Sequence, residues 1–280
     1  MIESAAKKRV LFVGESITDV YHYGKALGKS SKESIICMER KSTEVFSGGV
    51  IAAAKHAETF CAKVEILSTV HLSKNRYIEQ THFRKLFEEY MGAELVPAPI
   101  WPDFSAYDAV VVLDYGHGMF TPDLIARICN GARFLAVNVQ ANAGNYGFSL
   151  ATKWPRADYL CVDEVEARLA TQNQHRPIKD SLILLAGRYE SVAITLGKSG
   201  AIGCYENSAE APAFTDRIVD TMGAGDAFFA VTAVMAEGAD MGQLLRIGNA
   251  AAAIKCQIVG HRSYVTKAKL IAYLEAHGTR

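Results

Sequence analysis

The sequence predicts an α/β fold: a central, mostly parallel sheet with helices on both faces and a small β-flap projecting from it. Two observations carry this. Short β-branched runs alternate with helical patterns along most of the 280 residues, which is the rhythm of strand–helix–strand units. Several strand-like runs are continuously apolar rather than alternating, as expected when both faces of a strand are covered.

Strands are expected at 10–13, 64–68, 109–113, 134–138, 159–162 and 192–196. Helices are expected at 50–60, 122–130, 164–171, 227–237, 243–256 and 266–277. Residues 18–47 break the rhythm. Two strand-like pieces, 18–24 and 34–40, are separated by Gly, Ser and Lys turn material, with no strand–helix–strand unit before the first helix. These residues read as the flap, and 1–280 as one domain that carries it.

Half of the residues are hydrophobic and 21% are charged, enough apolar material for a large core. Thirty basic and thirty acidic residues cancel. That argues against nucleic acid or an anionic membrane as the main partner, since both select a basic surface. The six cysteines are scattered, without a C-x-x-C pair or zinc spacing, and read as reduced thiols of a cytoplasmic protein. The apolar run at 10–13 is too short for a signal sequence, and no run has the length of a membrane span.

The most informative segment is Asp220-Thr221-Met222-Gly223-Ala224-Gly225-Asp226, set before the apolar helical run Ala227-Phe228-Phe229-Ala230-Val231. Glycines at a helix entrance let several N–H groups turn outward, where the helix dipole adds positive potential. Such a nest suits the phosphates of a nucleotide. Asp226, in the first helical turn, is placed to accept a proton from an attacking hydroxyl. A carboxylate beside such a nest is expected to have a lowered pKa, which a loose phosphoryl-transfer transition state tolerates.

This heptapeptide resembles the D-T-x-G-A-G-D signature of the ribokinase-like (PfkB) carbohydrate kinases at every fixed position. The resemblance runs along nearly the whole chain. Gly14-Glu15-Ser16-Ile17-Thr18-Asp19 is similar to the family's G-D/E-x-x-x-D element, and Gly48-Gly49 to its sugar-contacting glycine pair. Asp163-Glu164-Val165-Glu166 resembles N-x-x-E, with Asp163 in place of asparagine. Thr195-Leu196-Gly197 followed by Gly200-Ala201 is similar to the nucleotide-side turn, and Asn249 matches a helix beside the adenosine. Within the family, Asp19-Val20-Tyr21-His22-Tyr23-Gly24 and Leu113-Asp114-Tyr115-Gly116-His117-Gly118 resemble segments of the heptose 7-phosphate kinases.

The resemblance implies a ribokinase-like fold and a kinase that moves the γ-phosphate of ATP onto a sugar or sugar-phosphate hydroxyl. It implies Asp226 as base, Gly223, Ala224 and Gly225 as the anion hole, and Thr195, Gly197 and Asn249 at the nucleotide. Asp19, Gly48, Gly49 and Asp114 would hold the acceptor, with Lys74, Arg76 and His117 as candidates for its phosphate. Asp163 and Glu166 would organise Mg²⁺, and a monovalent cation is left open. The flap offers a strand edge for homodimerisation.

Some positions depart from the family pattern. Ala52 stands where the glycine pair is usually followed by an asparagine, and the helix expected after 64–68 is missing. Two other readings follow: a degenerate relative that senses a sugar phosphate or nucleotide, and a kinase for another alcohol such as a nucleoside. An NAD-dependent Rossmann enzyme is disfavoured, because Gly14 begins no G-x-G-x-x-G. Gly24-Lys25-Ala26-Leu27-Gly28-Lys29-Ser30 is one residue short of a P-loop and lies in the flap. The amide-rich segment 138–146 either faces the site or satisfies its own backbone, with equal support.

Overall fold

The computed structural model describes residues 1–95, 100–214 and 217–278. The chain opens with α1 (Ile2–Ala5), β1 (Arg9–Gly14), β2 (Ser16–Lys29), β3 (Ile36–Gly49), α2 (Val50–Ala57), β4 (Lys63–Leu67), β5 (Val70–Glu79) and β6 (Arg84–Leu95). There follow β7 (Ala109–Asp114), α3 (Pro122–Gly131), β8 (Leu135–Val139), β9 (Tyr159–Asp163), α4 (Glu164–Thr171), α5 (Ile178–Ala186) and β10 (Ser191–Thr195). The last elements are β11 (Ala201–Tyr205), β12 (Asn207–Ala211), α6 (Ala224–Ala233), α7 (Met241–Cys256) and α8 (Lys267–Ala276).

Eight strands form the main sheet in the order β12-β11-β10-β9-β8-β7-β1-β4. From β4 to β10 every pairing is parallel, and β11 and β12 close the far edge antiparallel. One apolar layer packs α2, α6, α7 and α8 on one face. The other packs α3, α4 and α5 on the opposite face. That is why β7 reads as an unbroken apolar run: Ala109, Val111 and Leu113 enter the first layer, Val110 and Val112 the second. α6 is buried all round from Ala227 to Ala233, which suits its place between α2 and α7.

The six strands expected outside the flap are present within one residue, the helix expected at 164–171 is present with those ends, and the other expected helices are present with shifted ends. The helix expected at 227–237 starts earlier, at Ala224, so Gly225 and Asp226 lie inside its first turn. α5 went unread because Leu182, Ile183, Leu184 and Leu185 are consecutive and show no period. Only Leu182 and Leu185 among them are buried.

The flap is larger than expected. Residues 18–47 fall within the β2–β3 hairpin, but the second sheet has four strands in the order β3-β2-β5-β6. The missing helix explains the difference. Only Ser68 and Thr69 separate β4 from β5, so the chain leaves the main sheet and pairs at once, in parallel, with β2.

His56, on α2, is completely buried, and its Nδ1 accepts the Val265 amide at 2.9 Å. Burial chiefly, helped by the nearby charges of Lys255 and His261, pushes its pKa down to about 3. The unfolded chain therefore takes up a proton near the ordinary histidine value of 6.5 that the folded chain refuses until about 3. Stability is thus lost as the pH falls through that window, by about 1.4 kcal/mol per unit for one such group. The melting temperature is expected to fall from pH 7 to pH 5 more steeply in the wild type than in His56→Gln. Equal slopes would contradict this assignment.

Candidate active site

The carboxyl ends of β1, β7, β8 and β9 bring together side chains that are far apart in sequence, in the crevice where open α/β sheets bind ligands. Glu15, just past β1, is completely buried and accepts the amides of Tyr115 and His117, each at 3.0 Å. Burial, then the charge of Asp114, raises its pKa. The chain after β7 is thereby fixed to the end of β1.

Asp226 is half-buried in the first turn of α6, and its Oδ1 accepts Gln140 Nε2 at 2.6 Å and the Tyr115 hydroxyl at 3.3 Å. Its pKa is raised, not lowered. Burial is the largest cause and outweighs the opposing effects of His261, Gln140, Tyr115 and Lys74. The lowered value expected from the helix dipole is corrected by desolvation. A carboxylate held nearer neutrality is the better proton acceptor.

Gly223 caps α6 with φ +72°, in the left-handed region that favours glycine. Ala224 spends its amide on Thr221 O at 3.2 Å, whereas the Gly223 and Gly225 amides have no backbone acceptor among the described residues. Two of the three expected anion-hole amides are therefore free. Beside them runs a cavity of about 360 Å³ lined by Thr195, Gly197, Ala224, Gly225, Phe228 and Asn249. The sequence-predicted nucleotide residues and the glycine loop thus share one continuous pocket.

On the flap side, Asp19 is buried and paired with Arg76, with His261 Nε2 at 3.4 Å. A Cβ on Gly48 would lie 2.1 Å from Asp19 Oδ2, so a larger residue would push the Asp19 carboxylate off its pairing with Arg76. Gly49, with φ +60°, turns the chain into α2. Arg76 also donates to Glu88 at 3.0 Å. Lys74 differs: it is buried over the Tyr90 ring at 4.9 Å, feels the charges of Glu88, Asp226 and Glu15, and makes no ion pair among the described residues. His117 lies near it, its pKa pushed down to about 4 by burial and by Lys74. His117 Nε2 is buried without a partner among the described residues.

Asp163 and Glu166 form a capping box at the start of α4. Asp163 Oδ1 accepts the Glu166 amide at 2.8 Å, and Glu166 Oε2 accepts the Asp163 amide at 2.7 Å. Glu166 Oε1 also accepts Ala141 N at 3.0 Å, tying α4 to the loop after β8. Burial, then the Asp163 charge, pushes Glu166 up to about 8. Among the described residues no group of three His, Cys, Asp or Glu side chains could hold a metal ion.

Asp114 does not join the cleft. Side chains alternate along β7, so Asp114 follows Val110 and Val112 into the layer that contains Trp154. It is completely buried there, accepting Trp154 Nε1 at 2.9 Å and pairing with Lys153 at 2.6 Å. That alternation speaks against the acceptor role expected for it: Tyr115, one residue on, is what reaches Asp226. Gln140 was foreshadowed only by the crowd of amides at 138–146. Both readings of that segment hold, since Asn142 and Asn145 brace the Tyr115 carbonyl at 2.7 Å while Gln140 reaches the site.

Residues 124–268, just over half of the chain, match the family described as pfkB family carbohydrate kinase. The bifunctional protein HldE of Wolinella succinogenes is 31% identical over 193 residues, 65% of this chain and 39% of that protein. The chain therefore spans well under half the length of this relative. Among solved structures, ribokinase from Thermotoga maritima superposes with a TM-score of 0.72 at 18% identity, covering 96% of this chain and 99% of that one. Ribokinase of Arabidopsis thaliana, complexed with ribose and ATP, gives 0.69 at 16% identity, with 96% and 99% covered. At these identities the likeness to the structures is one of fold.

Asp114→Asn tests the correction. It leaves Lys153 facing a neutral amide, so stability is expected to fall by about 1–3 kcal/mol. The acceptor KM of the folded variant should stay within about twofold of wild type, because no side chain expected to touch the acceptor has been replaced. A large rise in KM at unchanged melting temperature would return Asp114 to the site.

Proposed function

The chain belongs to the pfkB family of carbohydrate kinases, and on that premise we propose that it transfers the γ-phosphate of ATP to a hydroxyl of a phosphorylated, heptose-phosphate-like sugar. The observation that carries the acceptor class is Lys74. A buried ammonium that feels the charges of Glu88, Asp226 and Glu15 but makes no ion pair among the described residues is unfavourable until an anionic ligand arrives. His117, with its unpartnered Nε2, would join it at the acceptor's phosphate. Arg76 is already committed to Asp19 and Glu88, so its task is to orient the Asp19 carboxylate toward sugar hydroxyls.

The nucleotide fits the cavity between Asn249 and Thr195, with its phosphates at the free Gly223 and Gly225 amides. Mg²⁺ carried on those phosphates would neutralise charge in the transition state. Asp163 and Glu166, both engaged by backbone amides, would reach it only through water. Asp226 accepts the proton of the attacking hydroxyl, while Gln140 and Tyr115 fix the carboxylate's direction. The flap carries exposed apolar side chains at Leu27, Ile36, Val45, Phe87 and Met91, which suit pairing with a second copy of the chain.

An ADP-release screen across sugars, sugar phosphates and nucleosides tests the acceptor. Turnover is expected to be highest with a sugar phosphate. Lys74→Met should raise the KM for that acceptor by about 10–100-fold, the range for losing a hydrogen bond to a charged group. A nucleoside or unphosphorylated pentose that turns over faster than every sugar phosphate would contradict the assignment.

A further inference from the structure

Lys255, in the last turn of α7, is completely buried. Its Nζ donates to the Met222 carbonyl at 2.6 Å and lies 3.4 Å from the Ile258 carbonyl. Among the described residues it makes no ion pair. Burial draws its pKa down from the ordinary lysine value, while the charges of Asp220, Cys256 and Asp226 work against that. An apolar side chain of similar length would fill the same space without desolvating a charge, so the ammonium calls for a reason.

The reason lies in what it grips. The Met222 carbonyl belongs to the peptide that also carries the Gly223 N–H. The peptide is trans, so its C=O and N–H point to opposite sides. Pulling the carbonyl toward α7 therefore turns the Gly223 N–H away from α7, and that amide has no backbone acceptor among the described residues. A cation on the carbonyl oxygen also polarises the peptide and strengthens its N–H as a donor. The loop hangs from the same helix end by a second attachment, since the Cys256 carbonyl accepts Val219 N at 2.8 Å and Asp220 N at 3.0 Å. Lys255 Cε itself packs beneath Gly223, 3.4 Å from where a Cβ would be.

We infer that Lys255 is the positioning residue of the glycine loop: its ammonium fixes the Met222–Gly223 peptide, aims the Gly223 amide at the transferring phosphoryl group and sets a positive charge beneath it. This rests on assigning Gly223 and Gly225 to the phosphate site. Catalysis by such a loop depends on donors held ready for charge that develops in the transition state. The internal cation therefore acts on turnover more than on acceptor binding.

Two variants test it, with folding checked by melting curves. Lys255→Met keeps the volume and removes the charge. It is expected to lose about 100-fold in kcat, as on loss of one oxyanion donor, with acceptor KM within about threefold. Lys255→Ala opens a slot for propylammonium, which supplies the missing atoms. That cation is expected to restore activity at least about tenfold in Lys255→Ala and to leave wild type unchanged, a response that loss of fold alone would not give. A folded Lys255→Met with kcat within about threefold of wild type would overturn the inference. So would a folded Lys255→Ala that propylammonium does not rescue. Wild type that releases no ADP with any acceptor would count against the kinase reading itself, which separates the two failures.

Discussion

One buried carboxylate holds the two sheets in register at the site. Asp220 is 3% exposed and accepts four donors: the Tyr21 hydroxyl at 3.2 Å from β2, Lys85 at 3.0 Å from β6, and the amides of Met222 at 3.1 Å and Gly260 at 2.9 Å. Two of these belong to the flap sheet and two to the core. Burial opposes its charge, but the Gly260 amide, Lys85 and the Met222 amide prevail and keep its pKa below the ordinary value. A charge removed from water is tolerated only with such full satisfaction. The glycine loop that begins at Asp220 is therefore fixed at the point where the flap meets the main sheet.

The electrostatics of the cleft follow from that arrangement. Glu15, Glu166 and Asp226 are all pushed up, burial being the largest cause for each. Lys74, Lys255, His117 and His261 are all pushed down for the same reason. Burial in this poorly hydrated space thus disfavours the charged form of every one of these groups. Glu15 and Glu166 accept backbone amides, Lys255 donates to carbonyls and Asp226 Oδ1 accepts Gln140 and Tyr115, while Lys74 makes no ion pair among the described residues. Pairs of groups whose environments push their pKa values off the ordinary range point to functional sites, and here they include the proposed base, Asp226, and the proposed anchor of the acceptor's phosphate, Lys74.

Much of this was legible in the sequence. The parallel sheet showed itself because its strands are covered on both faces, and the glycine loop because Gly223 needs a left-handed φ at a helix start. The second half of the flap sheet was hidden, since β6 carries Arg84, Lys85, Glu88 and Glu89 among its apolar residues and shows no clean alternation. Asp114 was read as an acceptor residue because a motif gives position but not the face of a strand, and its side chain bonds Trp154 and Lys153 on the opposite face. Lys255 and Asp220 gave no local signal as anchors between elements: Lys255 reaches Met222, 33 residues back, and Asp220 reaches Gly260, 40 residues on. The Asp226 carboxylate was expected to have the lowered pKa of a group beside an anion nest, and only the folded chain shows how far it is desolvated.

The central claim is that Asp226 is the catalytic base, and Asp226→Asn tests it most directly. The asparagine keeps the shape and removes the charge, while the Gly223 and Gly225 amides remain in place for the nucleotide. Because burial raises the pKa of Asp226, its ionised form is held against desolvation, and the variant should melt no lower than wild type. On one folded preparation, turnover is expected to fall by about 10²–10⁴-fold with ATP affinity retained. A variant that keeps more than about a tenth of wild-type turnover would contradict the claim, since loss of a general base leaves far less.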